Sequence, residues 1–325
     1  MNPIQFNVKL ITPLLMHGSN PRACDPIGLT GKALRGSWRF WFRAMIGGMV
    51  PDILKEGLLK HEGEVFGSSD EKIGAKFRMV IENISSNKDK AIYGGFKKKD
   101  RNGNVTNEDQ TFAGYKEDSE FLIKILPRKN IDRGVLLSTI WLWGNLGGIG
   151  QRTRRGFGSP VIKSVNNSDP FKQCRLCITP EFHGSVDIEN HLKEGLSRCW
   201  EIFKAWLGVT AGDMATNPGP TDRGYWNASF FTLNSLGQVA VGDNSFPLNQ
   251  AIEKIHGNHH CNLLGSFHPR MASPVFTRLH KVDTGFIPVV TWSKQSGISN
   301  NCGQNHTDCI KEYLNNAGVT KWLNR

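Results

Sequence analysis

Polar and apolar residues alternate from Gln5 to Thr12, the two-residue period of a half-buried strand, and Pro13 closes it. A loop punctuated by His17-Gly18-Ser19-Asn20-Pro21 and Asp25-Pro26 leads to a segment whose apolar positions recur at three and four: Leu34, Trp38, Trp41 and Met45. That spacing predicts a helix over 32–45, capped by Thr30 and stopped by Gly47-Gly48. Strand-like runs follow at 76–84 and 120–126, and the polar stretch 85–119 between them reads as a long hairpin or loop insertion. A second helix spans 132–145 and a strand lies at 160–165. Strand, helix, strand, strand, helix, strand is the order of a ferredoxin-like unit.

The polar run 166–170 reads as a linker. Past it, the pattern suits strands at 174–182, 225–233, 268–280 and 285–292 and helices at 188–207 and 307–323. The expected fold class is α+β, with one ferredoxin-like domain over 1–165 and a second, less regular one over 171–325. A chain of 325 residues is long for a single core.

Charge narrows the partner. Lysine and arginine total 40 against 29 acidic residues, a formal charge of +11, which favours a polyanion such as nucleic acid. No apolar stretch approaches the ~20 residues of a membrane span, and the N-terminus has neither the basic region nor the apolar core of a secretory signal. A cytoplasmic protein with no membrane partner is expected. Seven cysteines, an odd number spread from Cys24 to Cys309, fit reduced thiols better than a disulfide framework. Cys174 and Cys177 form the one close pair; buried thiols are the favoured reading over a zinc site, which needs four ligands. No metal and no cofactor is expected.

The segment Gly147-Gly148-Ile149-Gly150-Gln151-Arg152-Thr153-Arg154-Arg155-Gly156-Phe157-Gly158 combines glycines with arginines directly after the second helix. Glycine lets a main chain approach a ligand and arginine offers a fixed fork of donors to phosphate oxygens, so the loop suits a phosphodiester backbone. It is not a dinucleotide loop, because a helix rather than a strand precedes it, and Gly31-Lys32 is followed by Ala33, which breaks the P-loop pattern. Phe157, between two glycines, is a candidate for stacking on an unpaired base. On the first helix Arg35, Arg39 and Arg43 follow at spacing four, and no acidic residue occurs between Asp25 and Asp52 to neutralise them locally, so external phosphates are the expected counterions. Lys97 to Lys99 and Arg101, on the insertion, offer a further electrostatic contact. His17 and Asp25 are the groups that an RNA-cleaving site in the first loop would use.

Three segments carry a family resemblance: the opening strand and loop with the helix Gly31-Lys32-Ala33-Leu34-Arg35-Gly36-Ser37-Trp38-Arg39-Phe40-Trp41-Phe42-Arg43-Ala44, the loop 148–158, and Arg270-Met271-Ala272-Ser273-Pro274-Val275. Together they resemble the RAMP superfamily of CRISPR proteins, and within it the first subunit of the Cmr, type III-B, effector complex. The resemblance implies two ferredoxin-like domains, assembly with other Cmr subunits, and contact with guide RNA and target RNA near the guide 3′ end, without catalysis. Lys32, Arg35, Arg39, Arg43, Gly148, Gly150, Gln151, Arg152, Arg154, Arg155, Gly156, Phe157, Gly158 and Arg270 are the expected RNA-binding residues. An endoribonuclease that processes guide precursors and a scaffold without RNA contact are the alternatives. Gly36 and Ser37 depart from the family's helix, where a bend is expected.

Overall fold

The computed structural model describes residues 2–18, 20, 23–49, 55–85, 88–99, 105–128, 130–165, 169–178, 180–208, 231–233, 235–256, 266–267, 270–271, 273–293 and 306–323. Its elements in chain order are β1 (Ile4–Leu10), α1 (Gly31–Met49), α2 (Lys55–Phe66), β2 (Phe77–Ser85), β3 (Lys88–Lys99), β4 (Val105–Tyr115), β5 (Glu120–Pro127), α3 (Arg133–Leu146) and β6 (Pro160–Ser164). There follow α4 (Ser185–Leu207), β7 (Val239–Gly242), α5 (Leu248–His256), β8 (Ser266–Phe267), β9 (Arg270–Met271), β10 (Val275–Val282), β11 (Gly285–Trp292), α6 (His306–Ala317) and β12 (Val319–Trp322).

The strands form two antiparallel four-stranded sheets, ordered β2-β5-β1-β6 and β10-β11-β7-β12. In each the third strand of a βαββαβ unit lies beside the first, the ferredoxin-like order. The insertion between β2 and β5 is the β3–β4 hairpin. The fold is therefore α+β with two ferredoxin-like units.

The two sheets are buried differently, and that difference sets the layers. β1 alternates, with Ile4, Phe6, Val8 and Leu10 inside and Gln5, Asn7 and Lys9 outward, so the first sheet covers α1 and α3 with one face only. β7 is buried at every position. Its Val239 and Val241, with Ile287 and Val289 of β11, join the core shared with α1, α3 and α4, whereas Ala240, Val275, Leu279 and Val290 face Ile252 and Ile255 of α5 and Ile310 and Tyr313 of α6. The order is sheet, helices, sheet, helices. α3 lies in the middle and is buried continuously from Val135 to Leu146, with Asp132 capping its start by accepting from Val135 N at 2.9 Å.

A buried polar clasp ties the second sheet to α3. Arg278 and His280, successive same-side residues of β10, reach the C-terminal end of α3, where orphan carbonyls carry negative partial charge. Arg278 donates to Gly147 O at 3.3 Å and to Pro160 O, and His280 Nε2 donates to Asn145 O at 2.9 Å. Burial pushes the Arg278 guanidinium down to about 9 and holds the His280 imidazole well below its usual range.

Several elements differ from expectation. α1 does not stop at Gly47-Gly48 but runs through both to Met49, and it continues without interruption through Gly36. α2 was not expected at all. The strand expected at 174–182 is absent among the described residues: a 3₁₀ turn at Lys172–Cys174 leads into irregular chain. Its carbonyls are satisfied by side chains, Arg198 Nε donating to Cys174 O at 2.8 Å and Trp141 Nε1 to Cys177 O at 2.7 Å, so no ladder is needed. The closing helix ends at Ala317, where Gly318 turns at φ +72° into β12. Of the strand expected at 225–233, residues 225–230 lie outside the described ones, and 231–233 are irregular.

Candidate nucleic-acid interface

The glycine-arginine loop after α3 is laced to its surroundings by its own backbone. On one side Gln151 N donates to Leu15 O and Gly158 N to Pro13 O, both at 2.8 Å; on the other Gly156 N donates to Thr277 O at 2.8 Å and Thr277 N to Arg154 O at 3.2 Å. Thr12 Oγ1 crosses to Gly156 O at 2.7 Å. Ser37, one of the two residues that depart from the family's helix, donates from Oγ to Gly148 O at 3.1 Å, and Trp143 Nε1 donates to the same carbonyl at 3.0 Å. Arg154 lies 5.3 Å from the ring centre of Phe40 on α1. The loop and α1 therefore share one seam.

The reasons for the glycines are internal. Gly158 has φ +61°, and a β-carbon there would land on Ile149 O; Gly150 has φ +88°, and one there would stand 2.6 Å from Leu15 O. A built β-carbon at Gly148 would sit 3.0 Å from Phe157 O, and one at Gly156 3.2 Å from Ile255. These residues let the loop fold against its own chain, which corrects the expectation that all four make room for a phosphate.

The arginines divide. Glu62 on α2 reaches the α1 stripe: Arg43 Nη2 donates to Oε1 at 2.9 Å and Nε to Oε2, while Arg39 Nε stands 3.2 Å from Oε1 and its Nη2 donates to Phe66 O and Gly67 O. The expectation that no carboxylate neutralises this row is wrong, because α2 folds back over it. Arg154 is also internal: it donates to Ser273 O, packs between Phe40 and Phe276, and burial lowers its pKa to about 10. Arg155 stacks on Tyr313 at 5.2 Å. Phe157 is 0 % exposed within the core under α5, so it has no face for a base. Sequence reasoning missed this because no apolar periodicity flanks it.

What stays at the surface is narrower. Lys32, Gly36, Gly150, Gln151 and Arg152 are exposed. Arg152, at φ +56°, stacks on Phe112 of the insertion hairpin at 4.3 Å. Arg35 is half-buried over Phe77 at 5.3 Å, its Nε has no hydrogen-bond partner among the described residues, and burial followed by the charge of Arg39 lowers its pKa. Arg270 falls in β9, but its side chain lies outside the described part, as do those of Lys97 to Lys99 and all of Arg101.

His17 and Asp25 are each engaged by a backbone group. His17 Nε2 donates to Ala113 O at 2.8 Å, bracing the base of the hairpin, and Asp25 Oδ1 accepts from Ile27 N at 2.9 Å. Cys174 is half-buried and Cys177 exposed, both free thiols. Among the described residues no three His, Cys, Asp or Glu side chains are grouped to hold a metal ion, and no helix is long and apolar enough to cross a membrane.

A family model described as the RAMP superfamily matches residues 7–161, from β1 through the glycine-arginine loop into β6. Over that segment the chain resembles the RAMP superfamily. Among its relatives, a CRISPR system Cmr subunit Cmr1-2 of Pyrococcus furiosus is 29% identical over 181 residues, covering 49% of this chain and 95% of that protein. Subunit Cmr1-1 of the same organism is 29% identical over 188 residues, which is 54% of this chain and 51% of the relative. The crystal structure of apo Cmr1 from Pyrococcus furiosus superposes with a TM-score of 0.60 at 15% identity, covering 98% of both chains. A chain of the type III-B Cmr-beta assembly bound to cognate target RNA superposes at 0.58 and 11% identity, covering 97% of this chain and 99% of that one. The shared architecture thus extends beyond the matched family segment, through the second ferredoxin-like unit.

Proposed function

We propose that this protein is a non-cleaving RNA-binding subunit of a type III-B CRISPR interference complex, contacting guide RNA, target RNA or both near the guide 3′ end beside other Cmr subunits. The observation that carries the reading is the seam between α1 and the glycine-arginine loop, where Ser37 holds Gly148 and Lys32, Gly36, Gln151 and Arg152 remain exposed. Arg152 is preorganised by its stack on Phe112, so little side-chain entropy is lost when its donors meet a phosphate. Such contacts carry no sequence information, which leaves specificity to base pairing between guide and target. His17 Nε2 donates to Ala113 O and Asp25 Oδ1 accepts from Ile27 N, so in this reading both side chains brace the backbone around the first loop.

The test is assembly with guide RNA, target RNA and the other Cmr subunits followed by ultraviolet crosslinking. The expected outcome is crosslinks within 30–37 and 148–155 and intact RNA. A complete particle with no crosslink in either segment, or discrete RNA products that disappear on His17→Ala, overturns the reading in favour of a scaffold or a nuclease.

A further inference from the structure

Away from the α1 seam, a cavity of about 50 Å³ lies where the end of α3, β6, the irregular segment after Cys174 and β10 meet. Its wall includes Asn145, Ile162, Phe182, Arg278, His280 and Lys281. A volume of that size holds roughly three or four waters, or one small oxyanion. The charged and titratable members of the wall are Arg278, His280 and Lys281, and none of the ten wall residues is an acid.

The clasp leaves Arg278 short of partners. Arg278 is 2% exposed and makes no ion pair among the described residues. Its contacts go to Gly147 O, Pro160 O and His280 Nε2, at most three partners for five N–H donors. The contact to His280 is itself contested, since Nε2 stands 2.9 Å from Asn145 O and 3.2 Å from Arg278 Nε and cannot donate to one while accepting from the other. The shorter contact assigns the hydrogen to Nε2, so Arg278 Nε faces a second donor. A buried cation surrounded by neutral carbonyls is costly, and a carbonyl supplies only partial charge. Lys281, exposed at the same cavity, adds a second positive charge.

We infer that this cavity is a small-oxyanion site, for a phosphate-sized or carboxylate anion, in which Arg278 supplies the buried donors and Lys281 the outer charge. The bound anion supplies the counter-charge missing from the clasp and so stabilises the docking of the second sheet on α3. Its source is either a free anion or an acidic side chain of a partner, and the same chemistry serves both.

The experiment is thermal unfolding of the full chain titrated with inorganic phosphate and, separately, acetate, with chloride adjusted to keep ionic strength constant. The midpoint should rise saturably with phosphate. Lys281→Glu, at an exposed position, should weaken the apparent affinity by about fivefold or more through its reversed charge, and Arg278→Met should abolish the response. The double variant Lys32→Ala, Arg152→Ala should keep it, which separates this site from the proposed RNA seam. A response to acetate but not phosphate selects a carboxylate ligand. No response to either anion, one unchanged in Lys281→Glu, or one lost in the Lys32 and Arg152 double variant overturns the inference; where Arg278→Met fails to fold, the Lys281→Glu result decides.

Discussion

Replacing Glu62 tests how two of the three α1 arginines are paired within the chain. Its side chain is 6% exposed and receives both Arg43, through two donors, and Arg39. The hydrogen bond from Arg43 to Glu62 is the main reason that the guanidinium is held more firmly charged than usual. Glu62→Ala leaves two adjacent cations without a counterion under a helix. Breaking a fully buried pair costs about 3–5 kcal/mol. The Arg39 and Arg43 side chains are 33% and 43% exposed, so water restores part of their hydration. That discount leaves an expected loss of about 2–3 kcal/mol, and Glu62→Gln, which keeps the shape and one acceptor, should lose about 1–2 kcal/mol. Urea unfolding followed by tryptophan fluorescence reads this directly, with a lower midpoint and an unchanged slope. A loss below about 0.5 kcal/mol for Glu62→Ala would refute the assignment, because it would mean that solvent already screens the row.

Other substitutions probe the loop and the surface. Gly158→Ala should destabilise the chain by more than about 2 kcal/mol, combining a left-handed φ with a clash against Ile149 O; near-wild-type urea stability would contradict the backbone account. Phe157→Ala should cost about 3–4 kcal/mol while leaving the salt dependence of RNA binding unchanged; lost RNA affinity at unchanged stability would restore the stacking role. His183 Nδ1 lies 2.7 Å from Asp283 Oδ2, and that bond raises the imidazole above its ordinary 6.5. A raised folded-state pKa stabilises below the unfolded value and loses that contribution as pH rises through the folded midpoint. The His183 ring resonances should therefore titrate above 6.5, and Asp283→Asn should bring the midpoint back down.

The first ferredoxin-like unit was legible because its signals are local. β1 alternates, Leu34, Trp38, Trp41 and Met45 mark one face of α1, and Asp132 caps α3. The meeting of α1 with the glycine-arginine loop follows from that order of elements. Glu62 was not legible as a counterion, since only the packing of α2 brings it to residues 19 and 23 positions earlier in the chain. β7 carries no alternation because both of its faces are buried, and β12, the four residues directly after Gly318, merges with the helical pattern before it. The burial of Phe157 depends on α5, about a hundred residues away, and nothing beside the phenylalanine announces it.

The central claim is that the exposed edge of this seam holds phosphate. Its most direct test is the salt dependence of RNA affinity for Lys32→Ala, Arg152→Ala against the unaltered chain, measured across several unrelated RNA sequences. Binding should be uniformly weaker and the log–log slope shallower by about 1.5–2, the value for two lost phosphate contacts. Equal affinity and equal slope in the double variant would contradict it.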